Sequence, residues 1–191
     1  RCVGLVFNNS SSNFEGRVTS ENDKTNDTSV AVLVNQQTRN NNGGTVAAGT
    51  SWTDLRLNTV LGYSYFVSGG FDGNAGTNTN FILSPGRYHI DCYMPIYNSG
   101  TNGYFQLALY NVTDSVFEEG SLIGGPAFDA TGTGGASLYF NKVLEIAVPT
   151  EYKVRANGFV SGTVGYTTTS GMASGTNTNV YYTTVKVRKL V

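Results

Sequence analysis

Apolar side chains in this chain recur at every second position, not at every third and fourth. The clearest run is Arg87 to Met94: Tyr88, Ile90, Cys92 and Met94 share one face, and Arg87, His89, Asp91 and Tyr93 share the other. A period of two held over such a run predicts a half-buried strand of an antiparallel sheet. The same alternation predicts a strand from Tyr104 to Val112, with Phe105, Leu107 and Leu109 on one face. Another runs from Ala136 to Val148, carrying Leu138, Phe140, Leu144, Ile146 and Val148, with its apolar face interrupted at Lys142–Val143. Tyr152, Val154 and Ala156 alternate with Lys153 and Arg155. The last predicted strand, Val180 to Leu190, puts Tyr181, Thr183, Val185 and Val187 on one side. Tyr182, Thr184, Lys186 and Arg188 lie on the other. Nearer the start, Val30 to Arg39 begins apolar and turns polar, and Ser51 to Thr59 places Leu55 and Leu57 on one face. Shorter strands are predicted at Tyr63–Val67 and Phe81–Leu83.

Gly, Asn and Pro clusters separate these runs: Asn40 to Gly44, Gly69 to Gly76, and Ser84-Pro85-Gly86. Strands spaced by about ten residues with such turn signals predict an all-β sandwich or barrel. About eight to ten strands suit an antiparallel two-sheet jelly roll. An immunoglobulin-like sandwich fits less well, because the domain is long for it and Trp52 lies between Cys2 and Cys92 only formally. Residues 1–28 read differently. Cys2 to Phe7 is a short apolar strand candidate, and Asn8 to Thr28 is polar throughout. A structureless loop of that length is unusual inside a compact domain, so the expectation is an N-terminal arm, 1–28, beside a head, 29–191. The start at Arg1 is read as a processed or cut end, with no signal peptide left to read.

Composition narrows the function. Of 191 residues only 13% are charged, and 12 Lys and Arg stand against 13 Asp and Glu. Without a basic excess, no nucleic-acid partner is expected. No apolar run approaches the roughly 18 residues of a membrane helix, so no membrane insertion is expected. Aromatic residues make up 12% of the chain, which argues against disorder. One His and two Cys exclude multi-histidine and four-cysteine metal centres. Polarity comes from Asn, Thr and Ser rather than from charge, which suits a protein outside a cell or on a particle.

Candidate chemistry is sparse. His89 is the sole histidine and shares a strand face with Asp91, but no Gly-x-Ser-x-Gly elbow accompanies it. Asp54, Asp72, Asp129 and Glu118-Glu119 are scattered in loops, and no strand carries acids at alternate positions facing a cleft. Asp72-Gly73-Asn74 and Asn111 to Asp114 offer oxygen ligands, but neither forms a calcium loop. No catalytic residue, metal ligand or cofactor is therefore assigned. Cys92 falls on the predicted core face with Tyr88, Ile90, Leu107, Leu109 and Val185, and a bridge from Cys2 to Cys92 stays open. Sequons occur at Asn8, Asn9, Asn26 and Asn111, and carry meaning only in a secreted eukaryotic chain.

Tyrosine is the informative excess: 12 residues, more than one core needs. Tyr gives large contact area with few rotors and a polar tip, which suits interfaces. Strand parity nominates Tyr93, Tyr104, Tyr110 and Tyr182 for a subunit interface. Asp72, Asn74, Tyr97, Asn102 and Tyr166, in aromatic and Asn-rich loops, are nominated for holding a host-surface glycan.

Three segments taken in order carry a resemblance. They are Asn42-Gly43-Gly44-Thr45 with Gly49 to Thr59, then Phe81 to Ile90 including Ser84-Pro85-Gly86, then Leu107 to Asp114. Together with the closing Tyr181 to Val187, they resemble the jelly-roll modules of tailed-phage structural proteins, akin to tumour-necrosis-factor and C1q heads. The resemblance spans about residues 29–191 and departs from the pattern at Ser84-Pro85-Gly86 and in the Thr/Gly-rich Tyr166–Asn179 loop. It implies a non-enzymatic homotrimer on a virion surface, with Trp52 and Leu57 filling the sandwich. It leaves two places on the particle: capsid decoration, with the arm binding other virion proteins, or the receptor-binding head of a tail fibre or spike. A glycan-degrading enzyme and a secreted eukaryotic cytokine-like ligand are weaker readings.

Overall fold

The computed structural model describes residues 5–8, 13–16, 29–38, 41–61, 65–68, 79–99, 103–127, 133–165 and 179–190. Among these there are strands and turns and no helix. In chain order the strands are β1 (Leu5–Asn8), β2 (Asn13–Gly16), β3 (Val30–Thr38), β4 (Thr45–Val46), β5 (Thr53–Asp54), β6 (Thr59–Leu61), β7 (Val67–Ser68) and β8 (Asn80–Leu83). They continue as β9 (Gly86–Ser99), β10 (Gly103–Asn111), β11 (Val116–Phe117), β12 (Ile123–Ala127), β13 (Thr133–Ile146), β14 (Thr150–Gly158), β15 (Gly162–Val164) and β16 (Asn179–Leu190).

Strand pairing defines the winding. β3 pairs β16, β8 pairs β14, β9 pairs β13 and β10 pairs β12, all antiparallel. The early long strands thus pair with the late ones in nested order, as when an antiparallel ribbon is rolled up. One sheet holds β3, β16, β9 and β13, and the other holds β8, β14, β10 and β12. This is an all-β jelly-roll sandwich. β1 and β2 pair antiparallel with each other, as a separate two-stranded sheet.

The core lies where the alternating apolar faces of the two sheets meet. In β14 every second residue, Tyr152, Val154 and Ala156 among them, is buried. Leu57, Tyr88, Ile90, Cys92, Leu107, Leu109 and Val185 lie in one continuous cluster with Phe66, Phe81 and Phe105. Each such side chain contributes roughly 1.5–3 kcal/mol relative to exposure. The turn from β8 into β9 is closed by the Tyr88 hydroxyl, which donates to the Ser84 carbonyl at 2.8 Å. Gly86 takes φ = 154° there, a conformation L side chains rarely adopt.

One residue expected in the core and one expected at the subunit interface lie elsewhere. Trp52 is only half-buried and stands outside the core cluster, its ring 4.6 Å from that of Phe117. It has the parity of Asp54 and Arg56, opposite to buried Leu55 and Leu57, so it turns to the outer face. Tyr182, assigned to an outward face, is buried, and its hydroxyl donates to the Asn41 carbonyl at 2.7 Å. The pairing of β16 with β3 shifts register between Tyr181 and Thr184. The extra residue brings Tyr182 and Thr183 both inward, which simple alternation forbids.

Cys92 is fully buried and carries a free thiol, whose pKa burial pushes up. Cys2 lies outside the described residues. The interruption at Lys142 is resolved by geometry. Leu138, Phe140, Leu144 and Ile146 stay buried on one face, and the Lys142 ammonium reaches out to the Glu119 carbonyl. The strands without a sequence signal are the short or Gly- and Pro-bearing ones. β12 reads Ile-Gly-Gly-Pro-Ala, and its Pro126 sits opposite Tyr104 on a strand paired to β10.

Candidate functional site

Each sheet turns one face outward, and each outer face carries a built cluster. On the first sheet, Tyr93 of β9 stands directly opposite Tyr139 of β13. Both are exposed, 41% and 51% respectively, as is Val143 two positions from Asn141 on the same strand. Their hydroxyls are tied down: Tyr139 donates to Asp91 Oδ1 at 2.6 Å, and Tyr93 shares a hydrogen bond with Ser137 at 3.0 Å. The bond to Asp91 raises the Tyr139 pKa, with a smaller push from burial in the same direction. His89 Nδ1 lies 3.4 Å from Asp91 Oδ2. Arg188 and Lys186 of β16 sit opposite His89 and Asp91. The result is a rigid aromatic patch beside a His–Asp–Tyr chain and two cations.

The second outer face is built around Asp54. Arg155 of β14 has Asp54 of β5 opposite it on one side and Ala108 of β10 on the other. Asp54 Oδ1 accepts from Arg155 Nε and Oδ2 from Lys153 Nζ, each at 2.7 Å. The Arg155 guanidinium lies 4.0 Å above the Tyr110 ring. Small Ala108 leaves room for it to lie across the sheet. Tyr110 stands opposite Phe117 of β11, with the rings 5.0 Å apart, edge to face. Trp52 then meets Phe117 from the β5 side.

Burial alone would push the Asp54 carboxyl up, but the hydrogen bonds and charges of Lys153 and Arg155 outweigh it and hold the pKa below the ordinary value. The folded chain therefore binds fewer protons at Asp54 than the unfolded chain. The stability this gives is present above the unfolded pKa of about 4 and disappears as pH falls through the lower folded value. The expected result is that Asp54→Asn lowers the melting temperature at neutral pH and flattens its fall as the pH drops below about 4. Thermal unfolding followed across that range checks this, and parallel curves for parent and variant would refute it.

A third cluster closes one end of the sandwich. Asn111 Nδ2 donates to Asp114 at 2.9 Å and to Glu118 at 3.3 Å, while Asn111 Oδ1 accepts from the Asp114 backbone N–H. This is a turn held by its own side chains, with Ser115 at φ = 58°. It borders a groove of about 460 Å³. Asn111 is buried, so its sequon is not presented to a modifying enzyme.

The nominated tyrosines do not converge. Tyr93 lies on the outer face of the first sheet, Tyr104 and Tyr110 on that of the second, and Tyr182 inside. Tyr97 is half-buried on β9, opposite Gly135 and Thr163. Asp72, Asn74, Asn102 and Tyr166 lie outside the described residues. Tyr139, Asp54 and Arg155 were not nominated. Their signal was parity: Tyr139 alternates with Leu138 and Phe140, and Arg155 with Val154 and Ala156.

No protein-family model matches the chain, and no curated protein matches it. Solved structures do align with it. One is the structure of Eiger TNF from S. frugiperda, with a TM-score of 0.48 and 10% identity, over 85% of this chain and 92% of that one.

Proposed function

We propose that this chain is a non-enzymatic structural protein of a phage virion surface, a homotrimer of jelly-roll heads that decorates the capsid, with residues 1–28 as its attachment arm. The observation that carries the self-association is the Tyr93–Tyr139 pair. Exposed aromatic rings directly opposite each other on the paired strands β9 and β13, with their hydroxyls already bonded, lose little entropy on burial and suit the centre of an interface. The ordered motifs that resemble phage virion modules support the place on the particle. A closed cyclic assembly would bury the same patch on every copy. The most engaged carboxylate, Asp54, is held between two cations, a structural use rather than that of a proton-transfer group.

Light scattering of the full chain is expected to give a trimer mass, and the double variant Tyr93→Ser/Tyr139→Ser a monomer mass with an unchanged fold. A monomeric parent, or a variant that stays trimeric, would overturn the assembly. Co-sedimentation with undecorated capsids tests the location. A second reading, a receptor-binding head of a tail fibre or spike, is favoured by the cluster around Asp54, Arg155 and Phe117.

A further inference from the structure

We infer that the outer face of β10, β14 and β5 is a binding site for a carboxylated polysaccharide. The inference deepens the receptor-binding reading and is independent of whether the head assembles through Tyr93 and Tyr139.

The first observation is the spacing of the aromatic residues. Tyr104, half exposed, stands at one end of β10, and Tyr110 with Phe117 and Trp52 at the other. Positions 104 and 110 on one strand are about 20 Å apart, at ~3.4 Å per residue. Between them lie Gln106, with Gly124 beside it, and Arg155, which is paired opposite the fully buried Ala108. A Cβ on Gly124 would overlap the Tyr104 hydroxyl and ring, so the ring lies against β12 over Gly124. Aromatic surfaces at both ends of a flat polar floor match an extended chain of rings with apolar faces and polar rims.

The second observation is charge. Lys153 and Arg155 share one carboxylate, Asp54, which leaves one positive charge unbalanced. Arg56 adds another in the adjoining cleft of about 200 Å³, which it lines with Asp54, Thr45, Thr53 and Thr79. Glu151, the next outward residue of β14, is engaged by the Asn80 amide at 2.7 Å. A cationic centre beside three threonine hydroxyls matches a ligand that carries carboxylates and hydroxyls together. An acidic peptide is a poorer match. β10 and β14, the strands at the centre of the site, are paired on both sides and offer no free edge for backbone addition.

The test is calorimetric titration of the full chain with polygalacturonate, with dextran as the neutral polymer and polyglutamate as the acidic peptide. Saturable binding of polygalacturonate is expected, at least about tenfold tighter than either control. Phe117→Ser and Arg56→Gln, both at surface positions, are each expected to weaken it by about tenfold or more, as loss of a central contact does. Both variants should keep the parent's trimer mass and a cooperative unfolding transition, and Arg56→Gln its melting temperature as well. Absence of binding to polygalacturonate, equal binding of dextran or polyglutamate, or full binding by both variants would overturn the inference. Light scattering on the same samples separates this failure from a failure of assembly.

Discussion

Phe105→Ala is expected to lower the melting temperature of the head by roughly 6–20 °C, the largest effect expected of a single truncation in the core. Removing a buried phenylalanine ring costs about 3–5 kcal/mol when the surroundings cannot close the gap. Each kcal/mol is worth about 2–4 °C in a chain of this size. The surroundings of Phe105 are unusually unable to close. Its ring fills the space where two glycines have no side chain. A Cβ on Gly158 would lie 2.7 Å from the ring, and one on Gly162 would lie 2.6 Å from it. Gly158 ends β14 and Gly162 begins β15, in the other sheet, so this one ring seats both sheets at that end. Backbone cannot rotate into a cavity as a leucine can. The Val160 carbonyl, 2.5 Å from the same hypothetical Cβ on Gly158, fixes the turn further. Thermal denaturation followed by circular dichroism checks the result. A fall of less than about 4 °C would show that the turn collapses and that the ring is not its support. Phe105→Leu should recover much of the loss, because it restores volume at the centre of the site.

How much of this was readable beforehand depends on the length and continuity of each pattern. β9, β10, β13, β14 and β16 each repeat a period of two over several pairs, and a pattern that long has one reading. β4 and β11 are two residues each, too short for any period to register, and the alternation over Ser51–Thr59 holds although only Thr53–Asp54 of it pairs as β5. β12 hides behind two glycines and a proline, residues that announce a turn until an edge position makes them acceptable. The misplaced side chains show two different failures. For Trp52 the alternation is adequate: an even-numbered residue cannot share the inward face of Leu55 and Leu57 along one extended segment, and it was the family resemblance that placed it in the core. For Tyr182 it was not adequate. The register shift in β16 adds a residue on one side of a pairing, and nothing in Tyr181-Tyr182-Thr183-Thr184 marks where. Parity also chose faces correctly without choosing between them. Tyr93, Tyr104 and Tyr110 all point outward, yet from opposite sheets. Which outward residues meet is a property of the roll, set by pairings such as Arg155 with Asp54 across about a hundred residues of chain.

The same bulge yields the second large effect. Gly165→Ala is expected to destabilise the head by roughly 2–5 kcal/mol, from two separable causes. Gly165 holds φ = 88°, where an L side chain costs about 1–2 kcal/mol. Its Cβ would also overlap Cε1 and Cδ1 of Tyr182, closer than any real contact. Overpacking of that kind costs about 1–3 kcal/mol. The ring has little freedom to yield. Its hydroxyl is bonded to the Asn41 carbonyl at 2.7 Å, and the Gly165 N–H donates to the Pro95 carbonyl at 2.9 Å. The two causes separate in a double-mutant cycle with Tyr182→Ala. In that background the clash is gone and only the backbone cost of about 1–2 kcal/mol should remain. Chemical denaturation of the four proteins measures it. If Gly165→Ala costs the same with and without the Tyr182 ring, the two do not touch. The inward turn of Tyr182 would then be wrong, and its nomination for an outer face would stand again.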